Sequence, residues 1–201
     1  SPGAISSYSW LGDSDQLIIA EFTQEKCWLK RFRFDTHGKK LVNGSAIHDC
    51  GASPIRQLTY SPFNQSLYWL SPNDKGLTGH KLQALPLTKD QPTKRPNTLP
   101  GLDNVYALAA SPDGRQLALL RHFQWEHSDI YLYDIAEQQL QKVLSNHPFI
   151  QSLSWARQGK QLMFASENQL NLFDIHSGIS PLGFSSENRI KEVHFSAHQE
   201  R

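Results

Sequence analysis

Methionine occurs once in the 201 residues, at Met163, and cysteine only twice, at Cys27 and Cys50. Two thiols without two further ligands at metal spacing do not make a zinc site. Long hydrophobic runs are missing as well: stretches such as Leu17 to Ala20 and Leu117 to Leu120 fall far short of the roughly 20 residues that cross a bilayer. No membrane contact by this segment is therefore expected, although a span outside it is compatible with the sequence. Charge of either sign is not in excess, since 20 Lys and Arg face 19 Asp and Glu for a net +1. Without a basic field, nucleic-acid binding by this segment is not expected. The chain also lacks Gly-x-Ser-x-Gly, Gly-x-Gly-x-x-Gly, a phosphate-cradling Gly-Lys-Ser and His-Glu-x-x-His. No catalytic residue, cofactor or metal is expected, and the chain is read as a non-enzyme. Because it opens at Ser1 and its sole methionine is internal, it is expected to be a processed or excised piece of a longer protein.

An apolar fraction of 38 % with 10 % aromatics suits a sheet protein whose strands each wet one face. The decisive feature is repetition. Leu17, Leu67, Leu117 and Leu162 open apolar runs at spacings of 50, 50 and 45, with Trp10, Tyr60, Ala110 and Trp155 seven residues before each. Between the two members of each pair lie turn formers: Gly12-Asp13-Ser14-Asp15, Ser61-Pro62-Phe63-Asn64, Ser111-Pro112-Asp113-Gly114 and Ala156-Arg157-Gln158-Gly159. A third strand with period two follows, as in Ile130 to Asp134, Leu170 to Asp174 and Trp28 to Asp35, ending in an aromatic residue and Asp in three of four units. The second unit runs Leu82 to Pro86, and its proline marks a distorted or edge position. A more polar fourth strand closes each unit, as in Lys40 to Ile47 and Gln139 to Leu144.

Four antiparallel strands in about 45 residues is the arithmetic of a β-propeller blade. The fold expected is all-β: one propeller domain over residues 1–201, with blades at about 4–50, 54–100, 104–145 and 149–184. A fifth blade begins at 190–201, with its first strand from Ile190 to Ser196. Such an open arc would leave two apolar blade faces uncovered, so either the natural protein continues or two copies close around each other as a homodimer. The alternative is that the tail packs as one extra strand.

Ala110-Ser111-Pro112-Asp113-Gly114-Arg115-Gln116-Leu117-Ala118-Leu119, followed by Asp129-Ile130-Tyr131-Leu132-Tyr133-Asp134, resembles the repeat of TolB-type, WD-like propellers. The match is best in the third unit; the others keep the strand spacing but lose Pro-Asp-Gly. The resemblance implies a propeller over nearly the whole chain. Similar blades occur in periplasmic sensory halves of CadC- and ToxR-like transcriptional regulators, in TolB-like periplasmic scaffolds, and in propellers gating prolyl-oligopeptidase-like serine peptidases. A sensory or protein-binding domain of an exported, membrane-anchored regulator is the leading expectation from it, with the scaffold and the gating propeller as alternatives.

Cys27 and Cys50 flank a hairpin centred near residue 38, in which position 27 faces about 48 to 50, so a disulfide between them is geometrically allowed. It would place the chain in an oxidising compartment, here the periplasm; two half-buried thiols in a cytosolic chain are the alternative. In a propeller the second-to-third-strand loops and the blade-to-blade connections emerge together. Here those are Ser71 to His80, Thr88 to Asn104, Arg121 to Ser128 and Ser145 to Phe149, the long connections. This face is expected to bind a protein partner or small ligand. It carries His48, His80, Lys94, Arg95, His122, Trp125, His127 and His147, and the histidines give it a charge expected to rise as pH falls toward 6.

Overall fold

A computed structural model describes residues 3–12, 14–73, 79–87, 95–123, 126–156 and 158–194. The chain divides into two compact units, Ser1–Asn104 and Val105–Arg201. Among the described residues both are built from antiparallel strands alone.

The first unit holds β1 (Ala4–Trp10), β2 (Gln16–Thr23), β3 (Lys26–Asp35) and β4 (Lys40–Gly51), paired in sequence order. It continues with β5 (Arg56–Ser61), β6 (Ser66–Pro72) and β7 (His80–Pro86), also in order, with the two-residue β8 (Asn97–Thr98) on β7. Pro86 ends β7, as a residue without an N–H to give must. The second unit repeats the pattern with β9 (Val105–Ala110), β10 (Gln116–Phe123), β11 (His127–Asp134) and β12 (Gln139–Pro148). Its second sheet contains β13 (Ile150–Trp155), β14 (Gln161–Ser166), β15 (Gln169–Asp174) and β16 (Gly178–Ser185).

Local chemistry explains the turns. Between β9 and β10 the Ser111 hydroxyl donates to Asp113 Oδ1 at 2.6 Å, and the same oxygen accepts the Arg115 N–H. Gly114, at φ +71°, supplies the left-handed step and donates to the Ser111 carbonyl. The aromatic-Asp ending of the third strands is a second such device. Asp35 Oδ1 accepts the His37 N–H, Asp134 Oδ1 those of Ala136 and Glu137, and Asp174 Oδ1 those of His176 and Ser177. Each is an Asx turn that satisfies the backbone as the chain reverses into the outermost strand.

Packing follows the alternation along the strands, because residues directly opposite on paired strands share a face. In the first unit the row Ser7–Ala20–Leu29–His48 turns toward the second sheet, where Leu58, Leu67, Trp69 and Leu85 meet it around buried Ile55. The Leu58 N–H donates to the Ser7 hydroxyl at 2.8 Å across this contact. In the second unit the rows Ala109–Ala118–Leu132 and Ala107–Leu120–Ile130 receive Leu153, Trp155, Leu162, Phe164 and Phe173. The Trp155 indole donates to the Ala109 carbonyl at 3.0 Å, so its one polar group is satisfied within the core.

Two expectations change. Arg121 to Ser128 is not a long loop: β10 runs to Phe123 and β11 starts at His127, which places His122 and His127 on strands. β12 likewise extends to Pro148, so His147 is a strand residue as well. Eight-residue strands on both sides of the first hairpin bury Leu119, Leu120 and Ile130 along their length, and that burial carries pairing further than polar composition indicated. The strand expected over 190–196 is not formed in residues 190–194, and residues 195 and 196 lie outside those described. Val193 is nonetheless buried, and its N–H donates to the Ser152 hydroxyl at 2.8 Å, repeating the Leu58–Ser7 contact.

Cys27 and Cys50 form a disulfide, Cα to Cα 5.0 Å, tying the start of β3 to the end of β4 across 23 positions. A bridge closing a loop of that size stabilises by about 2–4 kcal/mol, through the lost freedom of the unfolded chain in the simplest account. Chemical denaturation of the Cys27→Ser/Cys50→Ser variant should therefore show stability lower by about that amount. An unchanged denaturation midpoint would mean that β3 and β4 need no clamp.

Candidate functional site

Within each unit the β2–β3, β4–β5, β6–β7, β10–β11 and β12–β13 connections emerge at one end of the sheets, and the Asx turns occupy the other. The candidate residues gather at the former end in two groups, described unit by unit.

In the first unit His48 lies near the end of β4, opposite Leu29, with its ring centroid 6.0 Å from that of buried Trp69. The two rings border an open cavity of about 640 Å³ lined also by Asp49 to Ser53, Ser71, Gln83, Arg95, Pro96 and Thr98. Burial pushes the His48 imidazole below its ordinary value, with the Asp49 carboxylate opposing in part, so the ring is neutral at pH 7. The floor is an oriented chain of hydrogen bonds: the Thr98 hydroxyl donates to Gln83 Oε1, and Gln83 Nε2 donates to the Ser71 hydroxyl, both at 3.1 Å. Asp49 Oδ1 accepts the Gly51 N–H at 2.9 Å. Arg95 is exposed on the cavity rim. His80 is half-buried at the start of β7, opposite Pro72, and does not line the cavity. Lys94 lies outside the described residues.

In the second unit His122, Ser128 and His147 stand opposite one another across β10, β11 and β12 and so share a face. His122 stacks on Tyr106 at 4.3 Å between centroids and meets Phe149 edge-on at 4.5 Å. Arg189 lies over the other side of this cluster, 5.7 Å from the Phe149 centroid. His147 packs edge-on against buried Phe164 at 5.0 Å, with Nδ1 2.9 Å from the Pro148 carbonyl. The Ser128 hydroxyl between them accepts the Ile150 N–H at 2.8 Å. His127 is half-buried on the opposite face of the sheet, and Trp125 lies outside the described residues. On that opposite face Asp129 accepts from Lys142 at 2.6 Å and from the Asn146 N–H at 2.9 Å. Burial alone would raise its carboxyl; the Lys142 ammonium and the Asn146 N–H outweigh it and hold the group below the usual carboxylate range. This pair anchors β11 to β12.

The expectation of a face that gains histidine charge near pH 6 is corrected at two positions. Burial holds His122 down to about 4, with the Ile150 backbone opposing, and His48 is lowered too. Packing on aromatic rings removes the water that would solvate an imidazolium. Sequence reasoning found the histidines but missed Tyr106, Phe149, Arg189, Trp69 and Gln83. The signal available for them was the cross-strand register, which needs the strand ends that the sequence left open.

No group of three or more His, Cys, Asp or Glu residues that could hold a metal ion occurs among the described residues. No family model matches the chain, and no curated protein matches it either. Solved structures do. The chain is similar to TolB from Acinetobacter baumannii at 14 % identity and a TM-score of 0.71, covering 92 % of this chain and 45 % of that one. It is similar to the crystallised nidogen/laminin complex at 9 % identity and 0.71, covering 98 % and 70 %. It is similar to an oligogalacturonate lyase in complex with manganese at 12 % identity and 0.70, covering 90 % and 53 %. These likenesses show the fold, an all-β TolB-like propeller of antiparallel four-stranded sheets. The chain spans about half the length of the TolB and lyase chains it matches.

A pH dependence follows from His122. Its folded value of about 4 lies below the unfolded 6.5, so between these values the unfolded chain binds the extra proton and stability falls as pH falls. For a largely buried ring the loss is on the order of 2 kcal/mol. His122→Phe should flatten this part of the stability profile, read from denaturation midpoints at pH 7 and pH 4.5. An unchanged slope would show that burial does not hold His122 below its unfolded value.

Proposed function

We propose that the chain is a non-catalytic recognition domain that binds a protein partner through the histidine-bearing ends of its sheets, at His48 in the first unit and at His122 and His147 in the second. One observation carries this reading. At the opposite end, the carboxylates of Asp35, Asp134 and Asp174 are spent on their own backbone N–H groups. At the histidine end of the first unit an exposed Arg95 borders a cavity beside His48 and Trp69, and at that of the second an exposed Arg189 lies over Phe149 beside Tyr106 and His122; each is the mixture of aromatic and Arg side chains that interfaces favour. The disulfide supports export to an oxidising compartment, and the resemblance to TolB-type propellers implies that this is the periplasm.

Within that class the reading we favour is the periplasmic sensory part of a membrane-anchored CadC/ToxR-like transcriptional regulator. It predicts a winged helix and one apolar 20-residue span elsewhere in the native polypeptide. A TolB-like scaffold that binds a lipoprotein fits the structural likeness equally well and requires neither. The gating propeller of a prolyl-oligopeptidase-like peptidase requires a Gly-x-Ser-x-Gly elbow in a separate domain.

Site-specific photo-crosslinking tests the shared claim. A benzophenone amino acid at position 127 or 147, exposed to periplasmic extract, should yield one discrete protein adduct, and the same group at Gln138 in the β11–β12 turn should not. Equal labelling from both ends, or none from either, would refute recognition through the histidine end.

A further inference from the structure

The cavity in the first unit is chemically more specific than a general contact surface, and its polar groups have a direction. Thr98 gives its hydroxyl proton to Gln83, and Gln83 gives one amide proton to Ser71. That order leaves three groups to a bound molecule: the Thr98 oxygen as acceptor, the second Gln83 N–H as donor and the Ser71 hydroxyl proton as donor. Asp49 commits Oδ1 to the Gly51 N–H and leaves Oδ2 as a further acceptor. Acceptors and donors alternating over a short distance suit adjacent hydroxyl groups, each of which both gives and takes a hydrogen bond. Among the described residues Arg95 has no ion pair, and it stands on the same rim as Thr98. A guanidinium there holds one carboxylate in a two-point, charge-assisted contact. The rings of His48 and Trp69 supply an apolar wall, and a volume of about 640 Å³ lies in the range of small-molecule sites.

We propose that this cavity binds a small polyhydroxylated monocarboxylate, with its carboxylate on Arg95 and its hydroxyls on the Thr98–Gln83–Ser71 chain and Asp49. The inference deepens the recognition reading above by giving the histidine end of the first unit a small-molecule ligand.

Titration calorimetry at pH 7.5 with three probes tests it: glucuronate, which has the charge and the hydroxyls; glucose, which has the hydroxyls alone; and propionate, which has the charge alone. Glucuronate should bind at millimolar or lower concentration, and each of the others at least about tenfold more weakly, the usual worth of a charge-assisted or a paired neutral hydrogen bond. Arg95→Gln should cost glucuronate about tenfold and leave glucose unaffected. Thr98→Val, at an exposed position that leaves the core intact, should weaken glucuronate severalfold and leave propionate unaffected. Glucuronate binding no tighter than glucose or propionate, no millimolar binding at all, or an Arg95→Gln variant that binds as well as the parent would each overturn the proposal. The partner adduct at positions 127 and 147 arises in the second unit and does not depend on these residues. Loss of the ligand with the adduct retained refutes this inference alone, and loss of the adduct refutes the reading beneath it.

Discussion

In each unit one sheet lays an apolar face on the next, and the covering of one sheet by the next is the constraint on which the remainder depends. The contact is made in the same way in each unit. A face of small and aliphatic side chains, Ser7–Ala20–Leu29 or Ala109–Ala118–Leu132, receives a face of bulky ones, Leu67 and Trp69 or Trp155, Leu162 and Phe173. Small against large lets the backbones approach while the interior stays filled, and interiors tolerate few voids. Trp69 and Phe164 are the largest fully buried side chains in these contacts. The first sheet shows the consequence of leaving a face uncovered. Its other side bears the row Trp10–Leu17–Phe32, equivalent to Trp155–Leu162–Phe173, and there Trp10 is 45 % exposed and Tyr8 63 %.

Stacking sheets in this way fixes where function can sit. Packed faces and paired strands are held by the core, and the strand ends are where the sequence is freer to vary. One end is given to closure. The Asx turns at Asp35, Asp134 and Asp174 satisfy the backbone with side chains that could otherwise meet a ligand. Hence the recurrent aromatic-Asp pair, which looks like a functional signature in the sequence, is a turn device. In the second sheet Leu85 and Pro86 stand in place of the pair, the Leu87 N–H to Gln65 carbonyl bond matches those of Ile135 to Arg115 and Ile175 to Lys160, and among the described residues its outermost strand has two residues.

The repeat made the fold legible. Leucines at fixed spacing, turn formers between them and period-two third strands point to antiparallel four-stranded blades, because each signal is local and recurs. The Cys27–Cys50 bridge was legible for a related reason, since hairpin register brings position 27 opposite about 48 to 50; the structure pairs Cys27 with Gly51, next to Cys50. The binding end was legible only as a list of residues. A polar segment such as His122 to His127 reads as a loop, yet Leu119, Leu120 and Ile130 behind it carry the strands through to Phe123 and from His127. Once on strands, the histidines are sorted by alternation. His122 and His147 face Tyr106, Phe149 and Phe164, whereas His127 faces the other way. No composition argument separates those two fates.

That sorting changes the kind of recognition the surface can perform. A solvated imidazole contributes charge that varies with pH, but one stacked between Tyr106 and Phe149 contributes a flat, weakly polar ring and stays neutral to about pH 4. Positive charge comes from the exposed guanidinium groups of Arg95 in the first unit and Arg189 in the second. The two roles that the sequence appeared to assign to histidine are therefore divided. The rings build and stiffen the apolar walls, and guanidinium groups on the rim supply charge that pH does not switch off. A site made this way gains orientation from preformed walls before any partner arrives, and it loses less entropy on binding than a loop that must first be ordered.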